Sequence, residues 1–170
     1  KLGWIMRGFY GRYYQAPPLV TVNNPLLNPE QLFLPLHGER DEQREFGVTI
    51  PFRGWTLDVS NFRTTARNFF DHDALGESNV FFPLTLQRAR IRGWESTVNS
   101  PTIGGRASLH LVYSHQYAEW SGGITGGLIS DEACEDVLCF LDHDQRNTMS
   151  AGANLKLPWR LTSDFTVNYG

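Results

Sequence analysis

The sequence predicts an all-β chain: about seven antiparallel strands, each long enough to cross a bilayer, forming one segment of a larger transmembrane barrel. Three observations carry this. Apolar and polar residues alternate with a period of two over long runs. Those runs extend to ~10–14 residues, whereas ordinary globular strands cluster near 5–6. The connections between them alternate between tight turns and long polar segments, the pattern of barrels with short turns at one rim and long loops at the other.

Composition narrows the class further. The chain has 170 residues, 41% hydrophobic and 13% aromatic, too apolar for a disordered chain. A net charge of −3, mixed in sign, offers no basic field to nucleic acid, and no nucleic-acid partner is expected. No stretch approaches the ~18 apolar residues of a membrane helix, but a barrel hides its apolar surface in every second residue.

The strands follow in order. Residues 2–14 alternate loosely. Phe46, Val48 and Ile50 oppose Glu45, Gly47 and Thr49, and Trp55, Leu57 and Val59 oppose Thr56, Asp58 and Ser60. Residues 86–98 form a looser run containing Glu95. The clearest run follows: Ala107, Leu109, Leu111 and Tyr113 oppose Ser108, His110, Ser114 and Gln116, with Val112 the one apolar residue on the polar side. Met149, Ala151, Ala153, Leu155 and Leu157 then oppose Thr148, Ser150, Gly152, Asn154 and Lys156. At the end, Leu161, Phe165, Val167 and Tyr169 oppose Thr162, Asp164, Thr166 and Asn168. A barrel wall needs oil on one flank and water on the other. The expected lipid-facing set is therefore Phe46, Val48, Leu57, Leu109, Leu111, Met149, Leu155, Phe165 and Val167, and the expected lumen-facing set Glu45, Asp58, Glu95, His110, Asn154 and Asp164.

Tight turns are expected at 51–54, 99–104 and 158–160, and long loops at 15–41, 67–85 and 118–143. Trp4, Tyr13, Tyr14, Trp55, Tyr117, Trp120 and Trp159 lie near strand ends, where interfacial girdles form. The chain opens and closes inside alternating runs, so residues 1–170 read as a partial barrel with no plug domain.

Several motifs then resemble one family. Residues 7–18 (RGFYGRYYQAPP) resemble the strand-to-loop segment of TonB-dependent receptor barrels. Residues 39–48 (ERDEQREFGV), 54–64 (GWTLDVSNFRT), 89–95 (ARIRGWE) and 141–148 (LDHDQRNT) stand in the order and spacing of later motifs of that family. The resemblance spans nearly the whole chain. It implies a bacterial outer-membrane protein, about a third of a barrel of roughly 22 strands. It also implies uptake of a scarce small ligand through a plugged barrel, with the TonB system and a plug domain as partners. The alternatives are an uncoupled porin- or adhesin-like barrel, and a soluble β-rich binding module.

Other constellations point to bland roles. Cys134 and Cys139 share a polar segment; export favours a disulfide, with two free thiols as the alternative, and finger spacing for zinc is absent. Two Asp-His-Asp triplets, at 71–73 and 142–144, could hold calcium or a transition metal and could meet at the rim. The plainer reading prevails, because successive strand residues point to opposite faces; no metal and no cofactor are expected. Glu45 and Glu95 with Arg90 and Arg92 read as a solvated charge network rather than acid–base catalysts. The glycines at 122–123 and 126–127 lack the lysine and helix of a phosphate loop. No enzyme is expected. Residues 88–92 (RARIR) read as salt-bridge partners, with lipopolysaccharide phosphates as the second possibility beside general outer-membrane lipid.

Overall fold

The computed structural model of the chain describes residues 3–17, 33–74, 81–128 and 133–170. Nearly all of them are strand: β1 (Ile5–Gln15), β2 (Phe33–Leu34), β3 (Glu39–Phe52), β4 (Trp55–Ala74), β5 (Phe81–Asn99), β6 (Ala107–Leu128), β7 (Cys134–Phe140), β8 (Asn147–Lys156) and β9 (Thr162–Tyr169). The helical element among the described residues is a 3-10 turn, Pro158–Arg160. One antiparallel sheet runs in the order β1-β3-β4-β5-β6-β8-β9, with β2 and β7 pairing onto β6. The sheet is open, with β1 and β9 at its edges.

Local chemistry explains the turns. The β3–β4 hairpin closes through Arg53 and Gly54, at φ 49° and 84°. Two left-handed residues make the turn that matches the natural twist of paired strands. Longer strands are the main departure from the sequence expectation. The segments 67–85 and 118–143, expected as loops, are largely strand: β4 runs on to Ala74, β5 starts at Phe81, and β6 reaches Leu128. Residues 75–80 and 129–132, and residues 18–32 of the expected first loop, lie outside the described residues. The reason is physical. Leu84, Thr85 and Leu86 are buried in succession and no residue of 118–127 is exposed, so both faces are partly covered and alternation vanishes while the hydrogen-bond ladder continues.

The buried apolar cluster sits in this upper ribbon, not between the membrane-length strands. Leu84, Leu86, Ala118 and Leu141 are buried together, with Phe69, Ile91, Trp120 and Ile124 packed against them. Trp120, expected in a girdle, instead helps close this cluster. Leu141 is held there by its backbone N–H, which donates to Ala118 O at 3.0 Å.

Candidate functional site

Directly paired residues in an antiparallel sheet share a face, so the register assigns faces without ambiguity. Asp58 pairs with Thr49 and Thr97, Ser60 with Glu95, Phe62 with Glu45, and Thr56 with Asn99, which pairs with His110. His110 pairs with Gly152, and Asn154 pairs with Ser108 and Asp164. Glu45, Asp58, Glu95, His110, Asn154 and Asp164 thus lie on one face. Phe46, Val48, Leu57, Leu109, Leu111, Met149, Leu155, Phe165 and Val167 lie on the other. Most of this second set is solvent-exposed, from Leu57 at 36% to Val167 at 67%.

The polar face is organised around Arg7. Its guanidinium donates to both oxygens of Asp58, at 2.5 and 2.6 Å, and lies 3.5 Å from Glu45. The Thr49 hydroxyl donates to Asp58 at 2.6 Å. Arg7 reaches across β3 because Gly47 stands directly opposite it; a Cβ there would meet Arg7 Cζ at 2.6 Å. Gly152 does the same for His110, whose ring lies where a Cβ on Gly152 would fall.

The apolar face changes character away from the turns at Arg53–Gly54 and 100–106. Three rows of directly paired residues cross β1, β3, β4, β5 and β6. The first is Tyr10, Arg44, Arg63, Arg92 and Tyr117; the second is Arg12, Glu42, Thr65, Arg90 and Glu119; the third is Tyr14, Arg40, Arg67, Arg88 and Ser121. Arginines outnumber carboxylates here eight to two. Glu42 takes Arg44 at 2.6 Å and Arg12 at 3.3 Å, and the buried Glu119 takes Arg90 at 2.7 Å and Arg92 at 3.5 Å. Arg40, Arg63, Arg67 and Arg88 have no ion-pair partner among the described residues. They line a cavity of about 930 Å³ together with Arg12 and Arg90. Of residues 88–92, then, two arginines pair with glutamate or stack on Tyr117, and Arg88 does not.

A third cluster forms at the far end of the ribbon. Asp71 Oδ1 lies 3.7 Å from His72 Nδ1 and 3.4 Å from His143 Nε2. The imidazoles of His72 and His143 stack at 4.9 Å, 16° from parallel. The two Asp-His-Asp triplets therefore meet through Asp71, His72 and His143. Adjacency within β4 does not separate Asp71 from His72, because both imidazoles gather on one carboxylate. Asp144, from the second triplet, turns elsewhere: it accepts from Ala118 N at 2.9 Å and pairs with Arg146 at 2.7 Å. Burial pushes its carboxyl up, but the Arg146 guanidinium and the Ala118 N–H outweigh that and hold it below the usual range. Arg146 in turn stacks on Tyr117 and Phe140, at 4.3 and 4.6 Å. Cys134 and Cys139 are joined as a disulfide in β7, just before this segment.

Residues 3–170 match the family model described as TonB dependent receptor-like, beta-barrel. The chain belongs to this family. TonB-dependent receptor barrels are proteins of the bacterial outer membrane, a family of receptors and transporters rather than enzymes. No curated protein and no solved structure matches the chain. For a TonB-dependent receptor barrel, the antiparallel sheet with membrane-length strands is the anticipated architecture, and its open edges mean that the described strands do not close a barrel by themselves. The arginine rows were outside the reach of sequence reasoning: the residues were visible, but their pairing across β3, β4 and β5 was not.

Proposed function

We propose that this chain forms part of the wall of a TonB-energised outer-membrane receptor that takes up a scarce small ligand through a plugged lumen. One observation carries the reading: in the part of the sheet nearest the Arg53–Gly54 and 100–106 turns, Arg7, Glu45, Asp58, Glu95, His110, Asn154 and Asp164 share one face, and the apolar residues from Phe46 to Val167 share the other. The polar face, with Arg7, Glu45, Asp58, Glu95, His110, Asn154 and Asp164, lines the wet interior and contacts the plug. The apolar face, from Phe46 to Val167, meets acyl chains. Residues 1–170 supply about a third of the wall, and partner strands elsewhere in the receptor satisfy the edges of β1 and β9.

Lipopolysaccharide is the outer partner of this reading. The arginine rows continue the lipid face past the apolar band, flanked by Tyr10 and Tyr117 at the place where aromatic rings favour the interface. Like charges directly opposite one another in a sheet destabilise it unless something anionic covers them. Bidentate guanidinium–phosphate contacts answer that need.

Planar-bilayer conductance of the full receptor separates the leading readings. A plugged receptor gives no steady channel, and accumulation of labelled siderophore, cobalamin, glycan or peptide requires both receptor and TonB. A steady open channel independent of TonB would favour the uncoupled porin. Cooperative folding without detergent or lipid would favour a soluble module.

A further inference from the structure

We propose that Asp71, His72 and His143 form a divalent transition-metal site, of the zinc or nickel kind, that pins the 141–146 segment to the β4–β5 ribbon. The proposal does not rest on the transport reading. Its ligand atoms, one from each residue, lie within 4.8 Å of one another. Four tetrahedral ligands about 2.0–2.1 Å from one ion sit roughly 3.3 Å apart, so modest side-chain rotation brings the three into place.

The charge balance favours a cation. The Asp71 side chain is only 11% exposed, yet no arginine or lysine pairs with it among the described residues. Its partners are two imidazoles and the His72 backbone N–H, which donates at 2.9 Å. The two imidazole rings stack at 4.9 Å beside that one carboxylate, so the three groups share one small space. A single divalent ion satisfies all three groups with both rings neutral. Two imidazoles and a carboxylate suit zinc, nickel or copper; calcium and magnesium demand more oxygens. Asp142 Oδ1 lies 3.0 Å from His143 Nε2 but outside the group of three, which leaves the fourth position open.

The site is also held in advance. Leu141 N donates to Ala118 O, Asp144 accepts from Ala118 N, and the disulfide at Cys134 and Cys139 braces the strand before it. Both cysteines are committed to that bond, so thiolate does not compete for the ion.

The test uses the full receptor, purified in detergent, stripped with chelator and titrated with cobalt(II), then with zinc. One ion per chain with a micromolar or tighter dissociation constant is expected. The tetrahedral cobalt absorption should fall as zinc displaces it. His72→Asn and His143→Asn should each weaken zinc at least tenfold, and the double variant should lose the cobalt signal. His37→Asn, outside the cluster, should leave it unchanged. Heat-modified electrophoretic mobility reports whether each variant keeps its barrel. No stoichiometric binding to the wild type, or equal binding to a folded double variant, overturns the proposal.

Discussion

Arg67 and Arg88 stand directly opposite each other in the β4–β5 ladder, and neither has an ion-pair partner among the described residues. Arg40 sits opposite Arg67 on the next strand, so three guanidiniums share one row. A folded sheet holds such a row only where water or an anion screens it. Proximity to a lipid surface supplies the anion in the proposed setting.

Replacing Arg67 and Arg88 together by Gln should therefore weaken lipopolysaccharide retention. Each basic residue near an anionic surface is worth about 1 kcal/mol, so the pair corresponds to about 2 kcal/mol, roughly a thirtyfold drop in affinity. Lipid phosphate per receptor after detergent extraction measures it. Unchanged phosphate would remove the lipid role of these rows, leaving the family assignment untouched.

Leu111 and His110 are neighbours in β6 that point to opposite faces. Lys at Leu111 should cost ~2–4 kcal/mol if it lies deep in the bilayer, whereas Lys at His110 should cost little. Spin labels at Leu109, Leu111, Leu155 and Val167 should collide with oxygen dissolved in the acyl chains. Labels at His110 and Asn154 should collide with a water-soluble nickel chelate. Equal collision profiles at the two sets would contradict the two-sided wall.

Glu39 begins β3 at its end far from the Arg53–Gly54 turn, beyond the ~9–11 residues that cross a bilayer. Burial pushes its carboxyl up to about 7, helped by the neighbouring Asp41 carboxylate and opposed by the Phe70 N–H, which donates at 2.9 Å. Among the described residues Asp41 Oδ1 is buried without a hydrogen-bond partner. The folded state thus holds a proton that the unfolded chain, near 4.5, has released. Between those values the native form binds more protons, so stability falls as pH rises from about 4.5 to about 7. Thermal unfolding of the receptor should show a midpoint a few degrees lower at pH 8 than at pH 5. Glu39→Gln should flatten that difference, and an unaltered slope in the variant would rule Glu39 out as its source.

Gly93 faces Gln116 across β5 and β6. A Cβ there would meet His115 O at 2.2 Å and Gln116 Cα at 2.9 Å, both backbone atoms that cannot swing aside. Gly93→Ala should destabilise the barrel by at least ~2 kcal/mol, read as a lower urea midpoint in lipid vesicles. A wild-type midpoint would show that the ladder bends more readily there than the close approach implies.

Reduction of the Cys134 to Cys139 bond should act locally. Among the described residues β7 pairs only with β6, and that pairing spans Glu119 to Gly122. Limited proteolysis should quicken within 134–146 after reduction, while the heat-modified mobility of the barrel stays the same.

Much of the wall was legible in the residues themselves. A strand shows alternate side chains to alternate faces, so Leu109, His110 and Leu111 announce two environments before any partner strand is known. That logic fails in the upper ribbon. Residues 67–74 and 118–128 look like loop because no period survives where side chains on both faces are partly covered, and only the ladder reveals them as strand.

The sequence by itself determined the all-β class, the two chemical faces and the family, because those properties repeat along the chain at short range. Tertiary structure alone decided which arginines stand in a row, that Gly47 opens the path from Arg7 to Asp58, and that Asp71 meets His143. Each depends on strand register or on the return of a distant segment. Residues separated by dozens of positions acquire their neighbours only when hydrogen bonds between strands fix which one lies beside which.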